Sequence, residues 1–125
     1  MNDATTTIAE LRQVVEQFVD RRDWHPFHTP KNLAMSLAIE AAELMEHFQW
    51  LTPEQSRAVG QQPEKLGEVG DEIADVLCYI LAMANELGLD LAAALEAKMV
   101  KNARKYPVEE FRGRFGRDDP NPMRP

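Results

Sequence analysis

Every strong boundary signal in this chain is a helix boundary. Thr7 followed by Glu10 has the form of a capping box. Thr29-Pro30 and Thr52-Pro53 each set a cap residue before a proline at the first helical position, and Asp90 caps a further helix. Pro63 opens another, and Gly88 is placed to stop it. No stretch shows the alternation of a strand. These signals predict an all-α fold with four main helices, over about residues 8–22, 30–51, 63–87 and 91–106, plus a short helix after Thr52. Gly67 and Gly70 sit inside the third main helix, where each costs about 1 kcal/mol relative to Ala. The stretch "FRGRFGRDDPNPMRP" is rich in Gly, Pro and charge. It predicts a disordered tail, 111–125, behind one domain, 1–110.

Two of these helices carry carboxylates where apolar residues are expected. At about 100° of turn per residue, Leu33, Leu37, Leu44 and Leu51 all lie within about 60° of Glu40. Glu43 lies at about −60°, on the edge of that stripe, and Glu46 further toward solvent. The helix after Pro63 repeats the arrangement. Glu72 lies among Val69, Val76 and Met83, and Asp75 sits about −60° away, at the edge. If the two stripes meet, four carboxylates converge. Two unit charges about 4 Å apart repel by about 4 kcal/mol at an effective dielectric of about 20, so such a group needs a cation. Oxygen-only ligands suit a hard ion, Mg²⁺ or Mn²⁺. A di-iron bundle would require Glu-x-x-His twice, and neither His28 nor His47 has Glu three residues before it. The plain alternative is a solvated glutamate face on a helical interaction module without catalytic activity.

The spacing of these residues resembles the signature of a known family. "EAAE" (40–43), then 28 residues, then "EIAD" (72–75) is similar to the motif of the all-α nucleoside triphosphate pyrophosphohydrolases, the MazG-like superfamily. "RDWHPFHTPKNL", "FQW", "DVLCY" and "KMVKNARKYP", in that order, resemble the dCTP pyrophosphatase branch. The resemblance implies hydrolysis of a nucleoside triphosphate, dCTP or a modified dCTP, to the monophosphate and pyrophosphate. It implies Glu40, Glu43, Glu72 and Asp75 as Mg²⁺ ligands and catalytic carboxylates, and Lys98 and Asn102 as phosphate ligands. It also implies a homo-oligomer, a dimer or tetramer. Rival substrates within the fold are dUTP, a damaged or methylated nucleotide, and phosphoribosyl-ATP.

Other residues can serve such a substrate on chemical grounds. Tyr79, one turn past Asp75, can offer its hydroxyl to phosphate. Trp24, His28 and Trp50 are candidates for a base pocket, because aromatic faces stack on any nucleobase. His28 and Asn32 can hydrogen-bond base or phosphate. On the same helical projection Trp50 falls beside Glu43. His25 and His47 read as surface residues, Phe27 as packing, and Cys78 as core.

Charge narrows the partners. The formal net charge is −7, which disfavours nucleic acid polymers and anionic membranes. Against that background, residues 97–117 hold seven Lys and Arg against two Glu. The longest apolar run, 76–84, is too short to span a bilayer, and the start "MNDATTT" lacks the basic flank of a signal peptide. A cytoplasmic location is the expectation.

Overall fold

A computed structural model describes residues 1–120, and the helical reading holds among them. α1 (Ile8–Asp20) opens on the expected capping box: the Glu10 N–H donates to Thr7 Oγ1 (3.2 Å), and the Thr7 N–H donates to Glu10 Oε2 (2.7 Å). α2 (Pro30–Glu46) and α3 (Pro53–Ala58) start at Thr29 and Thr52, whose side chains accept from the backbone N–H groups of Asn32 and Gln55. α4 (Pro63–Leu87) runs unbroken through Gly67 and Gly70. It stops at Gly88, which takes the left-handed conformation (φ 63°) that costs glycine little.

The chain divides into two compact units, Met1–Leu89 and Asp90 onward. In the first, α2 and α1 both pack on α4, around Val15, Val19, Leu33, Val69, Leu81, Ala82 and Ala84. Arg12 fastens α1 to the C-terminal end of α4. Its guanidinium donates to Asn85 Oδ1 (2.9 Å), the Ala84 carbonyl (3.1 Å) and the Leu89 carbonyl (2.7 Å), and the Asn85 amide donates back to the Arg12 carbonyl (3.0 Å). A helix C-terminus leaves carbonyls without partners, and a cation there also opposes the helix dipole.

The second unit holds α5 (Leu91–Lys105), capped by Asp90 as expected, and a four-residue α6 (Val108–Phe111). Tyr106 and Phe111 meet edge to face at 5.2 Å, and Arg117 pairs with Glu110 at 2.8 Å. Residues 111–120 of the expected tail are thus described, while 121–125 lie outside the described residues.

The structure corrects the sequence reading at several points. α2 ends at Glu46 rather than near residue 51, and His47–Trp50 form turns. Trp50 is therefore off the helix and 86% exposed, so its projected position beside Glu43 does not apply. Cys78 is exposed rather than core, and Phe27 is exposed rather than packed. Among the described residues no single helix is long and apolar enough to cross a membrane.

Candidate active site

The packing of α2 against α4 brings the two carboxylate pairs together. Glu40 and Glu43 lie one turn apart on α2, and Glu72 and Asp75 one turn apart on α4. One carboxylate oxygen from each of Glu40, Glu43 and Glu72 lies within 4.8 Å of the other two. Glu40 is half-buried as its place in the stripe requires, and Glu43 and Asp75 are exposed at its edges. Asp75 stands outside the close trio but adds to its field.

Glu40 is the centre of this group. Its Oε2 is shielded from solvent and has no hydrogen-bond partner in the chain. Burial raises its pKa first, because it disfavours the charged form. The neighbouring Glu43 carboxylate raises it further, as do the charges of Asp75 and Glu72. A buried carboxylate oxygen without a partner is costly unless something positive meets it. The donor set is oxygen only, negatively charged and drawn from two helices, which fits a hard divalent cation.

The surroundings hold contacts of His47 that sequence reasoning missed. His47, expected at the surface, keeps only 18% of its side chain exposed, with Nε2 facing Glu72 Oε1 at 3.5 Å. Lys65 Nζ donates to His47 Nδ1 (2.7 Å) and pairs with Glu68 (3.3 Å). Position 47 fell on no motif, and its partners are 18 or more residues away, so only the tertiary approach of α4 reveals them.

His25 is exposed, as expected of a surface residue, and sits in a second acidic cluster at the other end of the first unit. Its Nε2 meets Asp20 (2.6 Å) and Glu16 (3.2 Å), and its Nδ1 meets Glu86 (2.7 Å). The hydrogen bonds to Asp20 and then Glu86 push its pKa up to about 9, so the imidazolium persists at neutral pH.

The other predicted site residues fall on both units. Trp24 and His28 flank the one-turn 3-10 helix His25–Phe27, their rings 6.1 Å apart. His28 Nδ1 is shielded and lacks a partner in the chain. Asn32 donates its side-chain amide to the Phe27 carbonyl (3.0 Å), which ties this turn to the start of α2. Tyr79 is half-buried on α4. Lys98 and Asn102 belong to α5 in the second unit, and the Asn102 amide lies 3.9 Å from Met99 Sδ.

Comparison with known proteins bears on this arrangement. The MazG-like family model matches residues 35–114, which include all four carboxylates. Human dCTP pyrophosphatase 1 is 38% identical over 102 residues, covering 82% of this chain and 60% of that protein. The dCTP pyrophosphatase 1 of Bos taurus is 36% identical over 107 residues, covering 86% of this chain and 63% of that protein. The chain thus spans less than two thirds of the length of these relatives. A pyrophosphatase of known crystal structure from Archaeoglobus fulgidus superposes with a TM-score of 0.73. It is 40% identical, with 86% of this chain and 98% of that chain covered.

Proposed function

This chain belongs to the MazG-like family, and on that premise we propose that it hydrolyses a deoxynucleoside triphosphate, dCTP or a modified dCTP, to the monophosphate and pyrophosphate. The observation that carries the reading is Glu40 Oε2, buried and without a partner, with Glu43 and Glu72 oxygens within 4.8 Å. A solvated glutamate face would not shield one oxygen among like charges. The relatives named dCTP pyrophosphatase 1 support the choice of nucleotide.

Glu40, Glu43, Glu72 and Asp75 would hold the ion, Mg²⁺ in our reading with Mn²⁺ as a substitute. When bound, such an ion neutralises the triphosphate and lowers the pKa of water. In the reaction, water adds to phosphorus, the P–O bond between the α- and β-phosphoryl groups breaks, and pyrophosphate departs. One of the four carboxylates accepts the proton of the attacking water. Lys98 and Asn102 are assigned to the phosphates on the family resemblance, and Tyr79 on its place one turn past Asp75. Trp24, His28 and Trp50 are assigned to the base. His28 Nδ1, on the ring beside Trp24, and the Asn32 side-chain amide are the polar groups this assignment uses.

The same reading includes a homo-oligomer, dimer or tetramer, working on the cytoplasmic nucleotide pool. It is supported by Met35, Ile39 and Ile73 on α2 and α4, each more than half exposed. A monomeric mass by light scattering at micromolar concentration would remove that part.

The deciding experiment is pyrophosphate release across a panel of deoxynucleoside triphosphates, with Mg²⁺ and with chelator. The expected result is metal-dependent release, fastest for dCTP or a cytosine-modified analogue. Release from dUTP alone would reassign the substrate. No release from any nucleotide would return the chain to a helical interaction module.

A further inference from the structure

The contact between His47 and Glu72 has a direction built into it. An ammonium only donates hydrogen bonds, so Lys65 Nζ, 2.7 Å from His47 Nδ1, requires that nitrogen to be the acceptor. A neutral imidazole with Nδ1 as acceptor carries its proton on Nε2. Nε2 is the atom that faces Glu72 Oε1, at 3.5 Å. Both side chains are mostly shielded, with 18% of His47 and 21% of Glu72 exposed. Lys65 is itself steadied by Glu68 one turn along α4. His47 is the C-cap of α2, one residue past the helix that carries Glu40 and Glu43.

We propose that Lys65 and His47 form a positioning relay for Glu72, in which Lys65 sets the tautomer and the His47 Nε2–H orients Glu72 toward the cation. The proposal rests on the reading of Glu72 as a metal ligand. Carboxylate ligands are commonly held by such outer hydrogen bonds, and their loss typically costs about 10–100-fold in metal affinity. The 3.5 Å separation is long for a hydrogen bond. Contacts of this kind often tighten only when the site is loaded. In this proposal His47 acts through Glu72 and is a positioning residue.

Amide mimicry of the two ring nitrogens tests this. Glutamine at position 47 carries an N–H to the place of Nε2, whereas asparagine reaches only the place of Nδ1. Mg²⁺-induced shifts in melting temperature and Mn²⁺ calorimetry would be recorded for the parent and for His47→Gln, His47→Asn, His47→Leu and Lys65→Met. Circular dichroism would check the fold. The expected result is metal binding about 10-fold weaker or more in His47→Leu and His47→Asn. His47→Gln should recover most of it, and Lys65→Met should fall between. At saturating Mg²⁺, kcat should return toward the parent value in every variant. Parent-like binding in His47→Leu, or equal rescue by Asn and Gln, would overturn the proposal and leave His47 as a packing residue. Should the Leu variant not fold, the Gln–Asn pair decides. A parent protein that binds no metal would sink the metal site and the relay together, an outcome distinguished by its own flat titration.

Discussion

Two acidic clusters lie in the first unit, and they handle their charge in opposite ways. Around His25, the carboxylates of Glu16, Asp20 and Glu86 converge on an imidazolium whose two N–H groups they share. Around Glu40, the carboxylates of Glu43 and Glu72 converge on another carboxylate, with an oxygen shielded and unpartnered. Both groups offer three ligand atoms within a few ångströms, so geometry alone does not tell them apart. The counter-charge does. A cluster that supplies its own cation is an ion-paired brace between α1, the following turn and α4. The cluster of Glu40, Glu43 and Glu72 has no cationic member of its own, which is why we propose it as the metal site. The pKa shifts carry the same message: raised at His25 because partners favour its charged form, raised at Glu40 because burial and neighbours disfavour its charged form.

The largest expected effect breaks the comparison at the Glu40 side. Glu40→Gln removes one anion and keeps the shape. Hydrolysis should be lost. The metal-free melting temperature at neutral pH should rise, because repulsion is relieved, and the Mg²⁺-induced rise in melting temperature should shrink. A Glu40→Gln protein with parent activity and parent response to Mg²⁺ would make this cluster a solvated surface after all.

Glu86→Gln is the matching change at the other cluster, and its sign is expected to be the reverse. It takes a carboxylate from a cluster whose net interactions are attractive, so the melting temperature at neutral pH should fall. The Mg²⁺ response should stay as in the parent. If thermal melts showed Glu86→Gln more stable, the His25 group would not be the brace described above.

The pH axis separates the two clusters further. His25 has a folded pKa raised to about 9 from an unfolded value near 6.5. Its contribution is therefore complete below about 6.5 and is lost as pH rises through about 9. The gap in melting temperature between parent and Glu86→Gln should accordingly narrow over that interval. Glu40 also has a raised folded pKa, but from a carboxylate reference of 4.5, so in metal-free protein its loss of stability with rising pH begins in mild acid. Melting curves of parent and Glu40→Gln in chelator should diverge there first. A gap for Glu86→Gln that does not change between neutral pH and about 9 would argue against a shared imidazolium.

The caps Thr7, Thr29, Thr52 and Asp90 and the stop at Gly88 were all legible in the sequence, because capping is local chemistry written within four residues. The end of α2 was not. Its C-cap, His47, is a right-handed residue with no glycine to announce it, and Pro53 constrains only the residue before it. The inward lean of Glu40 was readable from helical periodicity. The partners of His25 and His47 were not, because Glu86 lies 61 residues from His25 and Lys65 lies 18 from His47. Periodicity says which way a side chain points on its own helix and nothing about which helix it meets.

The smallest expected effect concerns the helix that both clusters share. α4 carries Glu72 and Asp75 toward one end and Glu86 toward the other, with Gly67 and Gly70 just ahead of Glu72. Glycine inside a helix costs roughly 0.5–1 kcal/mol relative to alanine, through the extra freedom of the unfolded chain. A Cβ added at either position meets nothing within 4 Å. Gly67→Ala should therefore raise the melting temperature by a few degrees, since about 1 kcal/mol moves a domain of this size by roughly that much. If each cluster is governed by its own counter-charge, stiffening the shared helix should leave the Mg²⁺ response and the pH interval of His25 unchanged. A weakened Mg²⁺ response would mean that looseness near Glu72 is part of how the site closes on its ion. A lowered melting temperature would mean that another copy of the chain packs against this stretch of α4, where the added methyl group would strike it.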